Sequence, residues 1–317
     1  MINRRTLGRT NLSVAPLALG TVELGMDYGI QVPGAYGKPD ESDAVGLVHA
    51  ALDAGINFID TARAYGASET VLGKALRGRR DQVVLATKAT TRLPDGAMPG
   101  GAALRELLLS QLDISLKELQ SDFVDIWQLH NVAQEELEQW EAIGSVFAEV
   151  KQSGKVHWVG GSFYGSEMPE RALAHEWLDL IQVTYSVFDQ RLADRVFPLA
   201  QEKNVGVTVR SVLLQGALTK RADYLPDHLD LLRAHSRTYR QLVADFDLSL
   251  NPAQVALAFA LSHPQIDAAL VGVRTIEELE ENLAAVDKPL PQEYLQQLYP
   301  LRIDDDTLLN PGTWAAK

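Results

Sequence analysis

Cysteine is absent from the 317 residues. Disulfides, thiolate metal sites and cysteine nucleophiles are thereby excluded, and no metal ligand set is expected. Positive charge is short: 29 Lys and Arg face 42 Asp and Glu, a formal net charge of −13. Such a surface repels phosphate backbones and anionic membranes, so neither nucleic acid nor membrane is an expected partner. No apolar run approaches the length of a bilayer span. The opening MINRRTLGRTNLSVAPLALG has basic residues but no continuous apolar stretch of the secretory kind. A cytoplasmic protein is the expectation. Linkers, low-complexity tracts, short repeats and the dinucleotide fingerprint G-x-G-x-x-G are also missing. What is present is a hydrophobic fraction of 46%, enough for a large core. The length suits one large α/β domain or two small ones.

Short apolar runs alternate with longer amphipathic segments. Strands are expected at 17–20, 57–60, 83–87, 123–129, 156–160, 180–183, 206–209 and 268–271. Helices are expected at 43–54, 68–77, 104–119, 135–152, 168–176, 195–203, 252–262 and 276–286. In the last of these Ile276, Leu279, Leu283 and Val286 share one face. Strands alternating with helices imply a parallel sheet, and eight such units imply a closed (β/α)8 barrel, a TIM barrel. The domain reading is a single barrel domain over 1–317: a hairpin at 1–16 that could cap the barrel bottom, the barrel at 17–286, and a terminal helix and tail at 287–317. Three long loops, 23–42, 90–103 and 213–250, follow a strand and precede a helix. In a barrel that places them on the C-terminal face, where active sites lie.

Chemistry collects at strand ends. Asp60 and Tyr65 follow the second apolar run, Lys88 ends the third in LATKAT, and His130 ends the fourth in WQLHN. Any one of these alone is more often a structural residue than a catalyst; four on consecutive strands point to a shared site. Asp60 can pair with Lys88 and keep it charged. A nearby ammonium favours phenolate, which predicts a lowered pKa for Tyr65 and a role as general acid. His130 can donate a hydrogen bond to a carbonyl oxygen. Together these groups protonate an oxygen on which charge develops, half of a carbonyl reduction. The other half is a hydride, which no side chain supplies, so a nicotinamide or flavin is needed.

The blocks FIDTARAYG…SETVLGKAL, VLATK, SDFVDIWQLH, GKVHWVGGS and LVGVRTIEELEENL resemble the signature segments of the aldo-keto reductase family, in the same order. The opening RRTLGRTNLSVAPLALGT is also similar to that family's start, so the resemblance covers nearly the whole chain. It implies a (β/α)8 barrel that transfers a hydride between NADPH or NADH and a small carbonyl or alcohol substrate. It assigns the family tetrad to Asp60, Tyr65, Lys88 and His130, with Tyr65 as proton donor. It implies nicotinamide contacts for Gly20 and Thr21 and carboxamide contacts for Ser162 and Gln182. Without that context, Gln182 reads equally as a buried amide bonded to backbone. Arg210, Ser211, Leu213 and Gly216 fall along the nicotinamide and pyrophosphate, and Gly272, Arg274, Glu278, Glu281 and Asn282 at the adenosine end. There Thr275 can cap a helix whose N-terminus attracts phosphate, and Arg274 offers a planar cation to a 2′-phosphate. Monomers are common in the family, which makes a monomer the expected state.

Three positions depart from the pattern. Phe163 stands where many members have Asn after the serine, removing one carboxamide contact. Arg210 stands where many stack an aromatic ring on the nicotinamide; a guanidinium can stack too, or pair with a substrate anion. Glu278 stands where a basic or amide side chain often meets the 2′-phosphate. The run from Thr275 to Glu278 also reads as a capping box. NADPH is still favoured over NADH.

The substrate side carries fewer signals. Loop 23–42 has four glycines with Met26, Tyr28 and Tyr36, which suits a surface loop or a substrate wall equally. Trp127 reads as core, and Trp314 as a tail residue able to reach the pocket. Ser68 is a candidate helix start, and Arg63 either a surface residue or a contact for an anionic substrate. The reading is an NAD(P)H-dependent reductase of aldehydes or ketones. Its rivals are the same scaffold as a sugar or pyridoxine-type alcohol dehydrogenase, and a cofactor-binding regulatory subunit with slow turnover. A Schiff-base enzyme using Lys88 is disfavoured by the pairing with Asp60.

Overall fold

Each apolar run divides its side chains between two faces, as a strand's two-residue period requires. Phe58, Val84, Ala86, Ile126, Leu180, Ala268 and Leu270 pack into one cluster, the interior of a barrel. Their neighbours Ile59, Leu85, Trp127, Ile181, Ala269 and Val271 join a larger cluster between strands and helices. The computed structural model describes residues 2–34, 36–246, 248–286 and 288–314. The ends of the expected hairpin and tail (1, 287 and 315–317) lie outside them, as do residue 35 in the first long loop and residue 247 in the third.

The barrel strands are β1 (Leu17–Gly20), β2 (Phe58–Asp60), β3 (Val84–Ala89), β4 (Val124–Val132), β5 (Val156–Phe163), β6 (Leu180–Thr184), β7 (Gly206–Arg210) and β8 (Ala268–Gly272). All neighbours pair parallel in chain order, and β8 closes on β1 with Gly272 opposite Gly20. The outer helices are α1 (Glu41–Asp53), α2 (Ser68–Ala75), α3 (Gly101–Leu119), α4 (Trp140–Gln152), α5 (Glu167–Ala172), α6 (Leu192–Glu202), α7 (Pro252–Ser262) and α8 (Ile276–Val286). This is the (β/α)8 barrel expected from the alternation. Two short strands, Arg5–Thr6 and Ser13–Val14, pair antiparallel as a hairpin. Its Leu7 packs against Gly206 at the start of β7, and Asn57 at the start of β2 bonds Ser13 and Ala15. The hairpin therefore covers the N-terminal mouth and leaves the opposite face open.

The structure differs from the sequence reading in several lengths. β3 and β4 run past the expected ends, so Lys88 and His130 lie within strands. The expected helix at 135–152 is broken at Gln139 into Gln134–Glu138 and α4. The segment 213–250, read as a long loop, holds a helix at Asp230–Phe246. Ser68 opens α2 without capping it; its Oγ lies 2.9 Å from Thr61 Oγ1 and donates to Thr21 Oγ1 at 2.7 Å. No helix among the described residues is long and apolar enough to cross a membrane.

Candidate active site

The inward phase of the strands carries small and apolar side chains at the bottom and polar ones at the top. Asp60 follows Phe58, Lys88 follows Ala86, and Gln128 follows Ile126. Lys88 is buried and donates to Asp60 Oδ2 and, at 2.9 Å, to the Thr61 carbonyl. Asp60 Oδ1 accepts from Gln182 Nε2 at 2.9 Å and Gln128 Nε2 at 3.2 Å. Both carboxylate oxygens and the ammonium are thus hydrogen-bonded, the condition for burying the pair; removing one partner of such a pair costs about 3–5 kcal/mol. Burial lowers the Lys88 pKa, and the contact with Asp60 opposes that shift.

Tyr65 is held by its neighbours' backbone. Its N–H donates to Ala62 O at 3.0 Å, and its carbonyl accepts from Ser68 N at 3.1 Å. A short helix, Val22–Gly25, rises from β1 and touches this loop. A Cβ on Gly25 would sit 1.8 Å from the Tyr65 carbonyl oxygen, so only glycine permits the contact. The Tyr65 ring stands edge-on to His130 with centroids 5.4 Å apart, and Lys88 Nζ lies 5.1 Å from the ring centre. Asp60, Tyr65, Lys88 and His130 therefore meet at one rim. The expected lowering of the Tyr65 pKa does not occur. Burial first, then Asp60, push it up, while Arg210 acts the other way. Lys88 is paired with Asp60, and the push of that carboxylate on the phenol opposes the pull of the ammonium. His130 is driven well below its usual pKa by burial, and also by Lys88 and Arg210, so its ring is neutral at neutral pH.

Beside this rim opens a cavity of about 480 Å³ that runs outward between β1, β7 and β8. Gly20, Thr21, Gln182, Arg210, Ser211, Leu213, Gly216, Gly272, Arg274, Glu278, Glu281 and Asn282 line it, with Asp60 and Tyr65 at its inner end. Ser162 is buried near that end without lining it. Its Oγ and Gln182 Oε1 have no hydrogen-bond partner, which suits an amide that would bond to both. Gln182 is thus an amide bonded to a carboxylate, with its carbonyl left free. Phe163 is buried with its ring against Gly161 and Val132, and adds no polar contact. Ser211, Leu214 and Gln215 all have positive φ, a cluster of left-handed residues typical of ligand clamps. At the outer end Thr275 Oγ1 accepts from Glu278 N at 3.2 Å and caps α8. Glu278 does not complete the expected capping box. It accepts from Arg274 N at 2.8 Å and pairs with Arg221 at 2.9 Å.

Several cavity residues carried no signal in the sequence. Arg221 and Lys220 line it from the segment after β7, and Asn251 from the start of α7. Glu23 lines it one turn beyond β1. Its carboxylate lies against Gly272, its Oε2 has no partner, and burial pushes its pKa up to about 7. Tyr28 also lines the cavity; its carbonyl accepts from Arg274, while Ile30 N donates to Gln215 O at 3.3 Å. The first loop thus reaches across to the segments after β7 and β8. Tyr36 and Trp314, both read as substrate contacts, do not line the cavity. Tyr36 is exposed, and Trp314 is buried with its carbonyl 3.0 Å from His228. Arg63 pairs with Glu69 and Glu118, each at 3.0 Å, and does not line the cavity. No cluster of metal-binding side chains occurs among the described residues.

A polar rim at the barrel's open face, joined to an elongated cavity, is the layout of a carbonyl-acting enzyme with a dinucleotide cofactor. The family model "Aldo/keto reductase family" matches residues 16–302. An uncharacterized oxidoreductase of Bacillus subtilis, YrpG, is 32% identical, with 92% of this chain and 93% of that protein covered. The L-galactose dehydrogenase of Arabidopsis thaliana is 30% identical, covering 97% and 92%. The holo form of the aldo-keto reductase AKR11C1 from Bacillus halodurans superposes with a TM-score of 0.79 at 27% identity, covering 98% and 100%. Members of this family are oxidoreductases that use nicotinamide cofactors on small carbonyl compounds. The chain is an oxidoreductase and belongs to the aldo-keto reductase family.

Proposed function

We propose that the protein reduces an aldehyde or ketone to an alcohol with NADPH, and that Tyr65 delivers the proton. The observation that carries this reading is the meeting of Tyr65, Lys88, Asp60 and His130 at the inner end of the cavity. A bound nicotinamide supplies the hydride. Gln182 and Ser162 would hold its carboxamide through their unpartnered oxygens, and Ser211, Leu213 and Gly216 the phosphates. Tyr65, with its pKa raised, stays a phenol across the neutral range and so is loaded as a donor. An alkoxide is a stronger base than a phenolate, so the proton moves only as charge builds on the substrate oxygen. Lys88, fixed by Asp60 and Thr61, stabilises the phenolate left behind. His130, neutral, offers an N–H to the same oxygen and sets its approach.

Pairing with Arg221 neutralises Glu278, the acid that would oppose a 2′-phosphate. Arg274 and Lys220 then outnumber Glu281, the other acid at that end, which favours NADPH over NADH. The 30% identical relative named L-galactose dehydrogenase supports a second reading, the same site oxidising a sugar alcohol with NAD(P)+. Following NADPH and NADH absorbance against aldehydes, ketones and sugars, in both directions, separates the two. Tyr65→Phe is expected to keep NADPH affinity and lower kcat by about 100-fold or more, the range of a lost general acid. Unchanged kcat in that variant overturns the mechanism.

A further inference from the structure

Arg210 ends β7 with its side chain at the inner end of the cavity. Its Nη2 donates to Asn131 Oδ1 at 3.2 Å and to the Phe163 carbonyl at 3.3 Å, and its guanidinium carbon lies 4.0 Å over the Tyr164 ring. All three partners are neutral. Its Nε is buried and has no partner at all. The contrast with Lys88 is direct. Lys88 touches Asp60, whereas no carboxylate pairs with Arg210 among the described residues. Of the other acids nearby, the Asp60 carboxylate is taken by Lys88, and burial raises the pKa of Tyr28 and Tyr65 and keeps them phenols.

A guanidinium cannot shed its proton, so it cannot escape this imbalance by titrating. Holding a cation partly out of water with no counter-charge is costly unless a ligand supplies one. The fork keeps a free Nε–H for an anion such as a carboxylate, in a charge-assisted hydrogen bond. Asn131, Phe163 and Tyr164 fix the fork from three sides, so it is oriented before any ligand arrives. The residue sits in the same cavity as Tyr65, where the carbonyl oxygen would be protonated.

We propose that Arg210 determines substrate choice: it receives an anionic group of the substrate, making small carbonyl compounds that carry a carboxylate or phenolate the preferred class. This rests on the carbonyl-reducing reading above. An anion could also come from the cofactor's phosphates, and the experiment separates the two sources. The three carboxybenzaldehyde isomers, their methyl esters and benzaldehyde are compared as substrates of the wild type, Arg210→Gln and Arg210→Lys. NADPH affinity of each protein is measured by fluorescence.

In the wild type at least one acid is expected to exceed its ester in kcat/KM by about tenfold or more, mainly through KM. Arg210→Gln is expected to bring that ratio to within about threefold of one, and Arg210→Lys to retain part of it. Because each ratio is internal to one protein, a general loss of activity does not mimic the effect. An acid-to-ester ratio that is unchanged in Arg210→Gln, or a wild type that prefers no acid, overturns the proposal. So does a ratio that stays while NADPH affinity falls, which assigns Arg210 to a cofactor phosphate. If no aldehyde is turned over, the carbonyl-reducing reading fails. Calorimetric titration of benzoate into the wild type and Arg210→Gln, each with NADP+, then still decides the anion site: binding only in the wild type supports it, and equal or no binding overturns it.

Discussion

At the scale of single residues, burial rather than nearby charge sets the chemistry of this site. The sequence placed an ammonium near Tyr65 and so implied a lowered pKa; in the structure the phenol's own desolvation outweighs it. Glu23 shows the same force. Its carboxyl stands against Gly272 with one oxygen unpartnered, and its pKa is pushed up to about 7. The folded state therefore favours the protonated acid. Stability from this group is full below the unfolded pKa of 4.5 and is lost as pH rises through about 7. Glu23→Gln removes that loss. Its Tm is expected to exceed the wild type's by about 2 °C or more at pH 8, the gap shrinking as the pH falls below 5. Thermal scans at both pH values check this; a gap independent of pH shows that charge is not the cause. Arg63 illustrates the limit of reading one residue from its neighbours in sequence. Glu69 follows it closely, but Glu118, 55 positions on, also claims it, and only the fold brings that carboxylate near.

Elements were legible where their apolar spacing is strong. All eight barrel strands sit where the apolar runs predicted, because each run fills both the interior and the helix-facing layer. The ends were less legible: β3 and β4 continue through Lys88 and His130, polar residues that look like strand terminators until a rim exists to receive them. The helix at Asp230–Phe246 was missed although Leu232, Ser236, Tyr239 and Val243 recur at helical spacing and are buried. Its other faces are polar, and it lies outside the strand–helix alternation. The short helix Val22–Gly25 carries a prediction at this scale. A Cβ at position 25 would meet Tyr65 O at 1.8 Å and Ser68 N at 2.5 Å, both rigid backbone. Gly25→Ala is expected to cost about 1–3 kcal/mol, the usual range for overpacking, and to displace the Tyr65 loop. Activity should fall more than the folded fraction does, which paired denaturation and rate measurements check. Full activity at reduced stability would show that the helix does not position Tyr65.

For the whole molecule, the charge pattern separates surface from cavity. The chain carries a net −13, yet Arg210, Lys220, Arg221 and Arg274 all turn into one cavity. Glu23, Asp60, Glu278 and Glu281 line it as well, so its charge is balanced where the exterior is acidic, and a phosphorylated cofactor meets cations there. At 100 times its Kd, NADPH is expected to stabilise the fold by about 2.7 kcal/mol, raising Tm by about 4 °C. At equal concentration NADH should raise it less, and Arg274→Ala should narrow the difference. Equal shifts from the two cofactors in the wild type would count against a held 2′-phosphate. The barrel, and the meeting of Asp60, Tyr65, Lys88 and His130 at its rim, could be read from sequence because they follow local periodicity and strand ends. Glu23, Arg221 and Asn251 could not, since they reach the cavity from three separate segments with no shared pattern.

The two-residue alternation of the strands has a further consequence, for what kinds of change this protein can absorb. Asp60, Lys88, Gln128, Gln182 and Arg210 all belong to the inward phase; the first four each stand two residues beyond an apolar one, and Arg210 two beyond Thr208. A substitution in a strand alters one side chain. An insertion or deletion of a single residue there turns every later side chain to the opposite face. It would send Lys88 into the layer beneath the helices and bring Ala89 to the rim. A strand here therefore tolerates a changed letter better than a changed number, and length changes are expected to be absorbed in the segments between strands.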